Sequence, residues 1–170
     1  MYHVLPGSYS FSIATVVCNF TCRHCQNADI SQAPRDHPGH IPGSAMSPES
    51  IVKAALQSGC MSVAYTYTEP TVYFELAYDT AQIAYDHGLK NVFVTNGYMT
   101  SEALDMIHPY LDAANVDLKG YDDAKYRHVC GARLEPVKEA IRYMHELGIW
   151  VEVTTLIIPE YNDTDRELRQ

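Results

Sequence analysis

Positive charge is scarce in this sequence. Its 170 residues carry 12 lysines and arginines against 21 aspartates and glutamates, a formal charge of −9. Binding a nucleic-acid backbone takes clustered Lys and Arg, which are missing here. A small molecule or a protein is therefore the expected substrate class, with no nucleic-acid partner. Long apolar runs are missing too. None approaches the ~20 residues needed to cross a bilayer, and the first residues lack the basic-then-apolar order of a secretory signal. The expectation is a cytoplasmic chain with no membrane partner. A disulfide framework is also excluded, because the five cysteines are odd in number and three fall in one eight-residue window. That usage suits metal or redox chemistry in a reducing compartment.

What the chain does contain is enough apolar residue, 46%, to bury the core of one domain. The grouped cysteines, Cys18, Cys22 and Cys25, form a C-x-x-x-C-x-x-C run directly after an apolar, β-branched stretch. Three thiolates are one short of the four protein ligands of a closed zinc or cluster site. The spacing thus points to an iron or zinc position left open to something exogenous. Cys60, after Gly59, and Cys130 read as small buried hydrophobes, with a fourth-ligand role for either the less favoured alternative.

Along the chain, strand and helix patterns alternate. Strands are expected at 10–17, 62–68, 91–95, 113–118 and 150–158, and helices at 47–59, 72–87, 101–111 and 135–147. Pro48 after Ser47 marks a helix start, with Ile51, Val52, Ala55 and Leu56 as its apolar stripe. The three prolines and two glycines between Gln32 and Gly43 predict a loop without regular structure. The run Asn162–Asp165 is expected to cap a further helix reaching Gln170, leaving the last unit unfinished. Five β/α units demand a parallel sheet with helical cover, and alternation alone leaves open whether it is doubly wound or part of a barrel. In both, ligands bind at the C-terminal strand ends. The polar segments lie there: the cysteines, Tyr67-Thr68-Glu69-Pro70, Thr95-Asn96-Gly97 and Asp117-Leu118-Lys119.

Taken together, the cysteine run at the end of a first strand and the β/α series resemble the radical S-adenosylmethionine (radical SAM) superfamily. Within it the chain is most similar to the AmmeMemoRadiSam system enzymes, relatives of the pyruvate formate-lyase activating enzyme. The segments that carry the likeness are Phe11–Val16, Cys25-Gln26-Asn27, Tyr65–Thr71, Val94–Gly97, Asn115–Gly120 and Thr155–Pro159. The resemblance implies a partial (β/α) barrel and a 4Fe-4S cluster on Cys18, Cys22 and Cys25. It implies S-adenosylmethionine (SAM) chelating the fourth iron and reductive cleavage to a 5'-deoxyadenosyl radical that abstracts hydrogen from a substrate. An electron donor such as flavodoxin or ferredoxin is the implied partner.

The resemblance also suggests cofactor-binding residues. His24 sits where relatives often place an aromatic residue near the adenine; a solvent-exposed loop histidine or a zinc ligand is the plainer alternative. Tyr67, Thr68 and Glu69 stand where relatives carry Gly-Gly-Glu and meet the methionine ammonium, and Glu69 could instead serve only as a helix N-terminal acid. Asp117 and Lys119, on one side of a strand, match a pair near the SAM carboxylate or form a structural ion pair. Thr95 and Asn96 are weaker candidates, since Asn-Gly alone is an ordinary turn. The acid that helps bind a cation before this turn in activating enzymes is Val94 here, so that cation site is not carried over. Glu152 and Thr154 share the strand face expected to line the interior. His37 and His40 read as polar surface, and the many tyrosines as packing residues.

Two other readings remain. One is an activase for a glycyl-radical enzyme, acting on a protein glycine. The other is a non-catalytic zinc or iron-sulfur module with His24, His37 or His40 as fourth ligand, the weaker because such a module needs no large parallel sheet. The resemblance implies relatives longer at both ends, and the expectation is a radical SAM core that is incomplete at its C-terminus, with a shortfall at the N-terminus as the secondary expectation.

Overall fold

A computed structural model describes residues 3–39 and 41–169 of the chain. Five parallel strands lie in sequence order: β1 (Ser10–Ile13), β2 (Ser62–Tyr65), β3 (Lys90–Thr95), β4 (Ala113–Asp117) and β5 (Trp150–Thr154). Helices α1 (Ala28–Ser31), α2 (Ala33–Asp36) and α3 (Pro48–Gln57) join β1 to β2. A 3-10 turn at Pro70–Tyr73 leads into α4 (Phe74–Asp86) before β3. Then α5 (Ser101–Ile107) precedes β4, α6 (Asp123–Cys130) and α7 (Leu134–Glu146) precede β5, and α8 (Asp165–Leu168) follows. A sequential order has no switch point where the winding reverses, so the sheet is a barrel segment of five β/α units and not a doubly wound sheet.

The register separates two faces. Ile13, Tyr65, Phe93, Ala114 and Val151 are paired across the strands and all belong to the helix-covered core. The other face carries Ser12, Ala64, Val92 and Ala113, paired in the same way, and higher up Asp117 opposite Thr154. Val92 aside, these residues are small or polar where a closed barrel has bulky branched ones, which leaves room at the strand C-termini. On the helix side, α7 buries Leu134, Val137, Ala140 and Met144 along one stripe, the spacing of an amphipathic helix.

Several boundaries differ from expectation. β1 stops at Ile13, because the chain turns away through Val17 at φ +86°. β5 ends at Thr154, short of Ile158, and Leu156 and Ile157 are about half exposed (48% and 47%). The Pro/Gly segment does hold one helical turn, α2, since Pro34 sits in the first turn where no N–H is needed. Helix α6 was not foreseen. It has few apolar residues but clear punctuation: Asp122 accepts from Lys125 N at 2.9 Å, and Gly131 closes it at φ +73°. On α3, Leu56 points outward at 43% exposure while Ile51, Val52 and Ala55 are buried. The cap of α8 is Thr164, and Gln170 and His40 lie outside the described residues. No helix among the described residues is long and apolar enough to cross a membrane.

Candidate functional site

A cavity of about 310 Å³ opens at the C-terminal ends of the strands. Its wall brings together all three grouped cysteines, His24, Tyr67, Thr68, Glu69, Thr95, Asn96, Asp117, Lys119 and Thr154. Residues more than a hundred positions apart meet there because they lie at or past the C-terminal ends of neighbouring strands. Glu152 lies outside this lining. Its carboxylate accepts from His3 N at 3.0 Å and Trp150 Nε1 at 3.4 Å.

The cysteine loop is fixed from both ends. Val17 N–H donates to Ile30 O (3.1 Å), Thr21 N–H to Cys130 O (3.0 Å) and Arg23 N–H to Val129 O (2.9 Å). Phe20 N–H donates to Cys18 Sγ at 3.4 Å, and Cys25 Sγ lies 3.4 Å from Ser31 Oγ. Burial pushes the Cys18 thiol up to about 11, against the Phe20 N–H and with help from Glu69 and the other two thiols. The Cys22 thiol is raised further, by its contact with Cys130 and then by burial. Binding iron would therefore release protons from this loop. The three thiols line one cavity without closing on a single point: among the described residues no three His, Cys, Asp or Glu side chains are placed to hold one metal ion.

Glu69 is fully buried and ties two loops together. Its Oε1 accepts from Thr95 Oγ1 (2.7 Å), Thr71 Oγ1 (3.1 Å) and Thr71 N (3.3 Å), and its Oε2 accepts from Asn96 N (2.8 Å). Burial nevertheless raises its carboxyl above the ordinary value, outweighing those donors. Asn96 is more than a turn residue. Its Nδ2 donates to Asn19 Oδ1 at 2.6 Å and toward Cys18 Sγ at 3.7 Å, while its Oδ1 accepts from Tyr98 N at 2.9 Å. Thr95 serves Glu69 and takes the Gly97 N–H at 3.0 Å.

Tyr67 adopts the left-handed conformation glycine favours, at φ +64°. Asn27 Nδ2 holds its carbonyl at 2.8 Å, and the ring is turned out, 56% exposed. The neighbouring Thr68 hydroxyl donates to Thr15 O at 2.9 Å. Across the cavity Lys119 Nζ stands 3.2 Å from Asp117 Oδ2. Burial opposes the lysine's charge, but Asp117 and the neighbouring thiols outweigh it and keep the ammonium. Burial and then Lys119 push the His24 imidazole below its ordinary value, against Asp117. Its Nδ1 is buried with no hydrogen-bond partner among the described residues, and its ring lies 6.0 Å from that of Tyr161. Thr154 Oγ1 is bonded to the Asn115 side chain at 3.0 Å. Neither Cys60 nor His37 is part of the wall.

Sequence reasoning overlooked Asn19, Ser31 and Tyr161, and used Asn27 only as part of the Cys25-Gln26-Asn27 likeness without giving it a role. Their parts are set by contacts made only after folding. Cys130 is buried as expected, yet its thiol lies against that of Cys22.

The family model of the radical SAM superfamily matches residues 12–170. The chain belongs to the radical SAM superfamily. An uncharacterized protein of Methanocaldococcus jannaschii is 48% identical over 168 residues, covering 99% of this chain and 49% of that protein. The chain spans about half the length of the curated relatives it matches. Among solved structures, a radical SAM methyltransferase from Sphaerobacter thermophilus superposes with a TM-score of 0.68 at 15% identity, over 94% of this chain and 50% of that one. A domain of the pyruvate-formate lyase-activating enzyme from Bacteroides vulgatus gives 0.59 at 18% identity, over 64% and 67%. At these identities the structural likeness speaks for the partial-barrel fold alone. For radical SAM proteins a 4Fe-4S cluster and SAM are the expected cofactors, and the wall fits them: a thiol triad on one loop, a buried carboxyl, a lysine ammonium, and a ring nitrogen with no partner among the described residues.

Proposed function

We propose that this chain is the catalytic core of an enzyme that reductively cleaves SAM to a 5'-deoxyadenosyl radical and uses it to abstract hydrogen from a small-molecule or protein substrate. The observation that carries the reading is one cavity wall holding Cys18, Cys22 and Cys25 together with the Glu69 carboxyl and the Lys119 ammonium. In this reading Cys18, Cys22 and Cys25 would hold a 4Fe-4S cluster, and that cluster would supply the electron for reductive cleavage of SAM.

The remaining residues bind and orient. Methionine's ammonium and carboxylate need opposite charges, and the cavity offers Glu69 at the end of β2 and Lys119 past the end of β4. Lys119 spends one donor on Asp117, which leaves others for a carboxylate. Tyr67 and Thr68 can present backbone carbonyls to the ammonium despite the missing glycines. The His24 ring, with a buried Nδ1 lacking a partner among the described residues, suits a nitrogen-rich aromatic such as adenine. Thr95 and Asn96 hold Glu69 and the cysteine loop in register, and the helix-backed sheet keeps water from one side of the cavity. Thiols of this kind suit a reducing cytoplasm, and a flavodoxin or ferredoxin is the proposed electron donor. The AmmeMemoRadiSam type remains the finer family proposal.

Anaerobic reconstitution tests the reading. It is expected to give roughly four iron and four sulfide per chain, and 5'-deoxyadenosine from SAM under dithionite. Stoichiometric zinc with no cluster would overturn it.

A further inference from the structure

A second pairing is open to Cys22. The bonds from Thr21 N to Cys130 O and from Arg23 N to Val129 O bracket it and press its loop onto the end of α6. The approach is close enough to demand glycine at 131: a Cβ there would stand 2.6 Å from Thr21 Oγ1, and φ is +73°. Both bonds flank Cys22, and one ends on the carbonyl of Cys130 itself, so the two cysteines lie on facing segments, the first requirement of a disulfide. The Cys130 thiol lies against that of Cys22, while Cys18 is bonded to Phe20 N–H and Cys25 to Ser31. Cys22 is partly exposed and Cys130 fully buried. The buried hydroxyl of Tyr161 has no hydrogen-bond partner among the described residues.

We propose that Cys22 and Cys130 are a redox modification site: in the cluster-free chain they close a reversible disulfide that withholds the middle thiolate from cluster assembly. An oxidant reaches Cys22 from the cavity, and Cys130 completes the bond from within. The two S–H bonds give up two protons and two electrons to a two-electron oxidant, a disulfide or a diazenedicarboxamide, and one S–S bond forms. A dithiol reverses the step by exchange, itself becoming a disulfide. The gating part rests on the reading of Cys22 as a cluster ligand; the cross-link does not.

The test treats the apoprotein with diamide, alkylates the remaining thiols and maps the peptides by mass spectrometry. The expected result is loss of two thiols per chain and a dithiothreitol-sensitive Cys22–Cys130 peptide pair. That pair should vanish in Cys130→Ala and form more slowly in Gly131→Ala, whose Cβ pushes the loop off α6. Anaerobic reconstitution of the oxidised chain should lose iron uptake, and dithiothreitol should restore it. No thiol loss, or cross-links confined to Cys18, Cys22 and Cys25, would overturn the proposal. A cross-linked chain that still assembles the cluster would overturn the gating. If the reduced chain takes up no iron while the cross-link forms, the ligand reading fails and the redox site stands.

Discussion

Glu69 Oε2 accepts the backbone N–H of Asn96 at 2.8 Å, so an acid following β2 holds the turn that follows β3. Asn96 in turn reaches Asn19 and Cys18 in the cysteine loop. Three strand ends are thereby joined through one buried carboxylate, and the position of the triad depends on a residue that touches none of its sulfurs by hydrogen bond.

Replacing Glu69 should therefore cost stability as well as ligand affinity. Glu69→Ala strands buried donors on Asn96, Thr71 and Thr95, at about 1–3 kcal/mol for each left unsatisfied. Glu69→Gln keeps the shape and costs less. The pH dependence has a definite sign. In the ligand-free chain the folded carboxyl lies above its ordinary value of 4.5, so above that pH the folded state keeps a proton that the unfolded state has lost. Glu69 then favours folding at low pH, and this contribution is lost as pH rises through the folded value. Urea midpoints followed upward from pH 4.5 should show that slope in the wild type and lack it in Glu69→Gln.

Lys119→Ala should weaken SAM binding and leave iron content intact. The side chain gives a cation to the cavity but touches the triad only through its field, and Asp117, 43% exposed, can turn to water. A lost charge-assisted bond of about 1.5–3 kcal/mol means roughly ten- to a hundredfold weaker binding. Calorimetry on the reconstituted protein measures it, and unchanged affinity would leave Lys119 and Asp117 as a structural ion pair.

The β/α series and the triad were legible because both are local patterns: strand and helix periodicity recur within a dozen residues, and the three cysteines sit in one loop. Barrel against doubly wound sheet was not, since strand order is a long-range property. Helix α6 escaped because its faces are too polar for an apolar stripe, although Asp122 and Gly131 punctuate it. The Cys22–Cys130 contact escaped for a different reason. Nothing local in either residue's neighbourhood encodes the other, and only the docking of α6 on the loop brings them together. Likewise Tyr67 concealed a left-handed position that glycine would have advertised.

The cysteines should divide into two classes. Cys18→Ala, Cys22→Ala and Cys25→Ala each remove one thiolate from the wall and should abolish the cluster on reconstitution. Cys60→Ala, outside the wall, and Cys130→Ala, packed behind Cys22, should retain it. Iron and sulfide counts with the visible absorption spectrum make the comparison. A cluster surviving any of the first three substitutions would mean that the triad is not the ligand set.

Gly97→Ala tests how tightly the turn after β3 is packed on the sheet. Gly97 has φ +72°, and a Cβ there would stand 2.8 Å from Val116 Cγ1 and 3.2 Å from Val137 Cγ1, both side chains fully buried in the core. Neither valine can swing aside without disturbing β4 or α7. Strain at positive φ and overpacking both oppose alanine, and a loss of about 1–3 kcal/mol is expected. The turn must lift, carrying Asn96 away from Glu69 and Asn19, so cluster retention in air should fall together with the urea midpoint. Wild-type stability in Gly97→Ala would show that the turn has slack, and that the Glu69–Asn96 bond does not depend on this close packing.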